Sequence, residues 1–493
     1  MARLLSVRRL WLLWGLVTLL LLGMAAAVMA YGGPRHLFLI GKTTDAHHQI
    51  ELACNACHTD WFGGRESIEK SCHGCHQADL DEMNDSHPAK KFRDPRNADR
   101  LELLDATKCL TCHVEHNEDV TRPMAVTLPM DYCSACHQDV AENRPSHKGF
   151  GFETCASAGC HNFHDNQALY EDFLEKHVGD DWLSKHPFLL SRQEGSPRSP
   201  ELKALYSKPA AAPAPAVPDA PAGIDFEAHV ANGWLQSAHA ANGVNCSGCH
   251  QPQGANPKAK SSWIEKPAME QCAACHSYEA ERFVKSKHGM RLAKDMFAER
   301  DGLLGIFKEK RLSPMRPEMA RLPMKADAAH RELTCTSCHA EHDFNTARAK
   351  VEACTTCHND EHTKAYFASP HHALWQKELA GEVPAGSGVT CASCHMPLAM
   401  RKDAKGRTVL AADHNQSGNL HPNEKMGRGV CLQCHGLGFT LDALADRALI
   451  SRNFKGRPSV HVESIDWVER RMRERGDLPP SRTTTAKNGQ EGD

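Results

Sequence analysis

The sequence is poor in the residues that usually fill a protein interior. Phe, Trp and Tyr make up 6% of 493 residues, and only 6 of them are tyrosines. Aromatic rings supply much of the buried area of an ordinary core, so a chain this long with so few must bury something else. Strand-like runs that alternate apolar and polar residues are also missing, which excludes an all-β sandwich or barrel. So is a surplus of charge of one sign. Lys and Arg number 58 against 61 Asp and Glu, a formal net charge of −3. Nothing in that balance argues for nucleic acid as a partner.

No cysteine is left over, although there are 22. Ten times the pattern is Cys-x-x-Cys-His: Cys54/Cys57/His58, Cys72/Cys75/His76, Cys109/Cys112/His113, Cys133/Cys136/His137, Cys246/Cys249/His250, Cys272/Cys275/His276, Cys335/Cys338/His339, Cys354/Cys357/His358, Cys391/Cys394/His395 and Cys431/Cys434/His435. An eleventh motif is stretched: Cys155, four residues, then Cys160 and His161. A disulfide framework has no reason to put His after every second Cys. A zinc site built from paired Cys-x-x-Cys units has none either. Covalent haem attachment does: two thiols add across the two vinyl groups of one haem, and the His that follows becomes the first axial ligand of its iron. The spacing therefore predicts eleven covalently bound haem c groups. It also answers the shortage of aromatics, because the porphyrins themselves serve as apolar core. The fold class expected is mainly α with much irregular loop: a haem-packed multihaem cytochrome c in two modules.

Eleven irons call for second axial ligands. Thirty-two histidines less the eleven in the motifs leave twenty-one. His116, His164 and His342 each lie three residues after a motif histidine, in Cys-His-Val-Glu-His, Cys-His-Asn-Phe-His and Cys-His-Ala-Glu-His, and His362 lies four after His358. A His so close in sequence cannot reach the far face of the same iron, so it is expected to ligate a neighbouring haem, which forces close packing. His87, His147, His239 and His288 recur in short Ser-containing contexts. His47 and His48 precede the first motif, with His48 the candidate chosen. His330 precedes Cys335, and of the adjacent His371 and His372 the first is the candidate. Histidines this numerous predict mostly bis-His ligation and low potentials, because Met as a ligand raises the potential.

Arg3, Arg8 and Arg9 precede an apolar run from Leu10 to Tyr31. About 20 such residues span a bilayer as a helix, and basic residues before the run hold that end in the cytoplasm. A cleaved signal is the rival reading, since Val28-Met29-Ala30 resembles a cleavage site. Both readings export the rest of the chain, which is then expected on the periplasmic side of the inner membrane, anchored there by the N-terminal helix (residues 1–35). Five motifs fall between Cys54 and His161 and six between Cys246 and His435, separated by a stretch rich in Pro, Ala and Ser. The order expected is a pentahaem module over 36–190, a semi-rigid Pro/Ala-rich linker over 191–223, a hexahaem module over 224–478 and a disordered tail over 479–493. Helices are expected at Gln167–Lys176, Tyr278–Phe297, Leu441–Ile450 and Ser464–Arg475.

From about Phe226 onward the chain resembles the hydroxylamine oxidoreductase-like family of multihaem cytochromes. Three stretches carry the resemblance. They are Gly388-Val-Thr-Cys-Ala-Ser-Cys-His-Met-Pro397, Asp413-His-Asn-Gln-Ser-Gly-Asn-Leu420, and Val430 to Asp446 followed by Asn453-Phe-Lys-Gly-Arg-Pro458. The resemblance implies oxidation of hydroxylamine or hydrazine, or reduction of nitrite or hydroxylamine, at one haem whose distal face is lined by Asp and His. Asp413 with His414 is the adjacent pair that could line it, or His414 could serve as a plain axial ligand. The family is typically octahaem, whereas this half has six motifs. Neither of its tyrosines, Tyr278 and Tyr366, matches the crosslinking tyrosine of the oxidative members. The N-terminal half is similar in haem density and His spacing to small class III-type multihaem cytochromes. Two functions follow. One is electron transfer in a respiratory chain, between a membrane quinol dehydrogenase or another cytochrome and a terminal acceptor. The other is reduction of a small nitrogen or sulfur oxyanion at one open haem.

Overall fold

The computed structural model describes residues 7–30, 39–60, 64–83, 87–117, 126–128, 132–143, 147, 163–164, 217–252, 256, 260–294, 296–299, 310–402, 408–420, 426–427 and 430–477. The helix expected at 167–176, the motif Cys155/Cys160/His161, the tail and most of the linker lie outside them. The described chain is mainly helix and loop, with two short hairpins.

Helix α1, Val7–Ala30, is apolar along its length. Its stretch Val7–Ala27 is long and apolar enough to cross a membrane, and none of it is buried against the rest of the chain. Helix α2, Arg65–Glu82, carries the motif Cys72/Cys75/His76 inside it. Most other motifs form single helical turns, among them Cys54–Cys57, Cys109–Cys112, Cys246–His250, Cys335–His339 and Cys391–His395. One turn brings residues three apart to the same side, which is what two thiols reaching for one planar group require. A turn this short is not stable alone, and the sequence caps it. Thr334 with Ser337 and Thr390 with Ser393 form reciprocal capping boxes, and the Asn245 side chain accepts from Cys246 N at 2.8 Å. Glu69 of α2 caps another turn from a distance: its carboxylate accepts from Cys109 N and Leu110 N at 2.9 and 2.8 Å.

Composition reads Val217–Gly223 as the end of the spacer, but this segment is packed. Asn245 Nδ2 donates to Val217 O at 2.7 Å, and Asp219 Oδ1 accepts from Ser247 N at 2.9 Å. Pro and Ala supply no such bonds; Asp219, set within the Pro/Ala run, fixes the chain to the motif at Cys246. Helix α3, Ala228–Leu235, then buries Trp234, whose Nε1 donates to Val244 O at 2.9 Å.

Helix α4 covers Ser277–Val284 and stops well short of Phe297, where the sequence pattern had carried it. Ser286 turns its hydroxyl back onto Phe283 O at 2.7 Å, a bond that competes with the helix ladder. Gly289 then comes so near that a Cβ there would lie 2.4 Å from Phe283 O. Phe297 itself belongs to strand β1, Phe297–Glu299, paired antiparallel with β2, Lys310–Arg311. A second hairpin joins β3, Leu398–Lys402, to β4, Thr408–Ala412, with Leu398 opposite Ala412. The alternating runs of these strands are too short to register as a strand signal.

Between the hairpins lies helix α5, Pro370–Leu379, capped by Ser369. Its Trp375 packs with Val351 and Tyr366 against Cys391. The expected helix Leu441–Ile450 is two: α6, Leu437–Ala445, and α7, Arg447–Ser451. Asp446 breaks them with an extended backbone, and its carboxylate caps Leu449 N at 2.9 Å while accepting from Ser459 N and Oγ, each at 2.8 Å. Helix α8 runs Ser464–Glu474, within one residue of expectation. It packs Ile465 and Val468 on Leu437 and Leu441 of α6. Each of these apolar clusters holds three or four buried residues, in keeping with a chain that relies on something other than side chains for its core.

The chain divides into two compact units that interleave in sequence. One takes residues 1–79, 105–128 and 204–422; the other takes 80–104, 129–203 and 423–493. The linker composition implies a serial split at 191–223, but the first unit gathers motifs from both sides of it. Ion pairs and burial explain why. Asp45 pairs with Lys287 and Arg321, Arg291 donates to Gln49 O at 2.6 Å, and Ala53 packs with Met296 and Leu312.

Candidate haem sites

A metal–imidazole bond of about 2 Å, with the nitrogen about 1 Å from its ring centre, puts two imidazoles on opposite faces of one iron roughly 6 Å apart, centre to centre. Among the described residues, seven motif histidines face a second histidine at that spacing. In the first unit His76 faces His47 at 6.0 Å, His250 faces His342 at 6.0 Å, and His276 faces His239 at 6.0 Å. His339 faces His414 at 6.1 Å, His358 faces His288 at 6.0 Å, and His395 faces His362 at 6.4 Å. In the second unit His137 faces His87 at 5.9 Å. His342, three residues beyond His339, serves not that ring but His250, and His362, four beyond His358, serves His395.

Two of these pairings use residues other than the first candidates. His47, not His48, stands opposite His76. His48 instead fixes its Nδ1 on Asp45 O at 2.9 Å and leaves Nε2 buried with no hydrogen-bond partner. His414 stands opposite His339, and its neighbour Asp413 is bound on both oxygens by Arg282. That pair therefore does not present the free Asp and His of an open distal pocket.

The other candidates fall as follows. His116 adopts a left-handed backbone, φ 61°, and holds Gly41 O with Nδ1 at 2.8 Å. His164 stands edge-on to Phe163 at 5.1 Å, and His147 is half-buried. His330 lies on the surface, 83% exposed, paired with Glu318 at 2.8 Å. His371 is half-buried in the first turn of α5, and His372 packs on Tyr366 and Phe367. His58 and His113 close their turns with backbone bonds to Cys54 O and Cys109 O, and His435 lies against Phe439 at 5.0 Å.

The thiols show how the motifs adjoin. Cys72 bonds Cys109, Cys272 bonds Cys335, and Cys354 bonds Cys391. Each pair joins the first cysteines of two different motifs, so two attachment sites lie side by side there. None of the described cysteines forms a disulfide.

The second cysteines of the motifs do not share one setting. Cys394 lies inside the helical turn Cys391–His395 and is half-buried. Cys136, Cys275 and Cys434 instead fall just beyond the helical segments Tyr132–Ala135, Met269–Ala273 and Cys431–Gln433. Their N–H groups still reach back to Cys133 O, Cys272 O and Cys431 O, at 3.2, 3.1 and 3.0 Å, so each turn is kept in a tighter form. Exposure differs as well: Cys275 is open to solvent, Cys136 is half-buried and Cys434 is buried. Neighbours outside the motif are the reason. Leu432, between Cys431 and Cys434, packs on the cluster shared by α6 and α8 and draws the whole turn inward. Among the described residues, none of these clusters includes the residues around Cys275.

Among the described residues no three His, Cys, Asp or Glu side chains converge on one point.

Ligation needs neutral imidazole, and the surroundings provide it. Desolvation, with His358 and His395 nearby, pushes His288 down to about 4, and desolvation with His362 and His358 does the same to His395. One ring nitrogen, Nδ1, is held by backbone in several cases: His87 on Phe163 O at 2.9 Å, His414 on Ala412 O at 3.0 Å, His250 on Ile264 O at 2.8 Å. His47 differs. Its Nδ1 meets Glu115 Oε1 at 2.6 Å. Burial acts to raise Glu115, but bonds from His47 and from Thr44 N and Oγ1 outweigh it and hold the carboxyl at about 2.

Residues 46–138 match the model of the cytochrome c3 family. The N-terminal segment is a multihaem cytochrome module. The match takes in four motifs, from Cys54 to His137, and the facing pairs His47/His76 and His87/His137. Neither the curated proteins nor the solved structures gave any match. The family-model match ends at residue 138, short of the segment from Phe226 onward. The module's cofactor is covalently bound haem c, and the rings and thiols described here fit it.

Proposed function

We propose that the chain is an undecahaem c-type cytochrome that carries electrons outside the cytoplasm, held to the membrane by α1. In this reading it works between a membrane quinol dehydrogenase or cytochrome and a terminal acceptor in the periplasm. Haem, when bound, supplies a one-electron iron couple. The chain's own residues set what that couple does. At seven motifs the motif histidine and the one facing it would hold the iron from two sides, which favours low potential. The observation that carries the reading is the set of seven facing histidine pairs, which would leave no open face for substrate at those seven haems.

Electron paramagnetic resonance of the ferric protein tests this directly. Low-spin signals alone, unchanged by nitrite or hydroxylamine, are expected. A high-spin signal perturbed by either compound would instead establish the reductase reading of the C-terminal half.

A further inference from the structure

Glu115 is the only side chain among the described residues that puts a carboxylate within hydrogen-bond distance of a histidine ring in one of the seven facing pairs. The acids nearest the motif histidines stand farther off: Asp79 at 3.8 Å from His76, Glu279 at 3.9 Å from His276, Asp360 at 3.8 Å from His358. Asp79 is also offset by Arg282 and Lys285, at 3.7 and 3.5 Å. Glu115 has no such offset. No Lys or Arg pairs with it among the described residues, and its other bonds come from Thr44, whose side chain is fully buried. The carboxylate is therefore held in place and aimed at one nitrogen.

A carboxylate on the outer nitrogen of a ligating imidazole draws its proton away and makes the inner nitrogen a stronger donor. A stronger donor favours ferric over ferrous iron. We propose that Glu115 is a positioning residue that gives His47 imidazolate character and so lowers the reduction potential of the haem attached at Cys72 and Cys75. Rings held by a backbone carbonyl, such as His87 and His414, receive a neutral acceptor and lack this push. The cytochrome would then contain one haem set below its neighbours by a single side chain. The proposal rests on His47 being the second ligand at His76.

The test is a potentiometric titration of the full-length, haem-loaded protein and of Glu115→Gln, followed by low-spin electron paramagnetic resonance. The variant should keep its full haem complement by mass and stay low-spin. One transition should move to higher potential, its g-values should shift, and the other transitions should stay in place. Unchanged potentials and g-values overturn the proposal. His47→Ala separates that failure from failure of the ligand reading: it should turn one haem high-spin, and if it does not, His47 is not the ligand. Should Glu115→Gln fail to load haem, near-infrared magnetic circular dichroism of the wild type decides. One ferric charge-transfer band displaced to higher energy supports the proposal, and a single unsplit band overturns it.

Discussion

Arg282 grips Asp413 with both ends of its guanidinium, Nε to Oδ1 and Nη2 to Oδ2, each at 2.8 Å. Arg282 lies in α4, just after the motif at His276; Asp413 directly precedes His414, which faces His339. The two side chains are 14% and 10% exposed, so neither carboxylate nor guanidinium has water to replace its partner. Arg282→Met leaves the Asp413 carboxylate stranded, at a cost of about 3 kcal/mol. Arg282→Lys keeps the charge but loses the two-pronged grip. Thermal unfolding should drop for both, more for Met. A wild-type melting temperature in the Met variant would show that the pair holds nothing.

The turn at Gly289 sets where His288 points. A Cβ at 289 would meet Phe283 O at 2.4 Å and Phe283 Cδ1 at 2.6 Å. The carbonyl is backbone and cannot yield, so Gly289→Ala should cost about 1–3 kcal/mol and displace His288 from His358. The visible and paramagnetic spectra should then gain one high-spin haem. An unaltered low-spin spectrum would mean that His288 is held by other contacts.

The haem count is a matter of mass. Intact mass spectrometry of the mature protein should exceed the chain by eleven haems. Cys155→Ala with Cys160→Ala should remove one and leave ten. If the wild type itself carries ten, the stretched motif does not attach haem.

His461 joins α6 to α8 through two carboxylates, Asp442 at 3.1 Å and Asp466 at 2.7 Å. Its pKa is raised, chiefly by the Asp442 bond and against some desolvation. A raised folded-state pKa gives stability that is full below the unfolded value near 6.5 and is lost as pH climbs through the folded one. Amides of Ser464–Glu474 should therefore exchange faster, after correction for intrinsic rates, on going from mildly acidic to alkaline pH. His461→Ala should flatten that profile. An identical pH dependence in the variant would remove His461 from the account.

Much of this was legible from residues alone wherever chemistry acts over a few positions. Cys-x-x-Cys-His spans one turn, so the attachment sites could be read without a fold, and the boundaries of α8 follow from its periodicity. Breaks that depend on a single side chain bond were not legible: Asp446 splits one expected helix, and Ser286 with Gly289 ends another. The different settings of Cys275 and Cys434 were not legible either, because packing outside the motif decides them. The choice of His47 over His48 was also beyond spacing, since adjacent residues project in different directions that the local turn decides. Glu115 had one available clue, its position between Val114 and His116 in a motif whose histidine is conspicuous and whose acid is not.

The sequence by itself determined where the Cys-x-x-Cys-His spacing recurs, which histidine closes each motif, and that aromatic side chains are too few to fill a core of ordinary size. The tertiary structure alone decided which histidine crosses to which, that His414 and Asp413 are committed to His339 and Arg282, and that motifs on both sides of the Pro/Ala stretch share one compact unit. The reason is geometric. A covalent attachment is written in neighbouring residues, whereas a ligand on the opposite face of the same plane must come from chain that arrives there by folding.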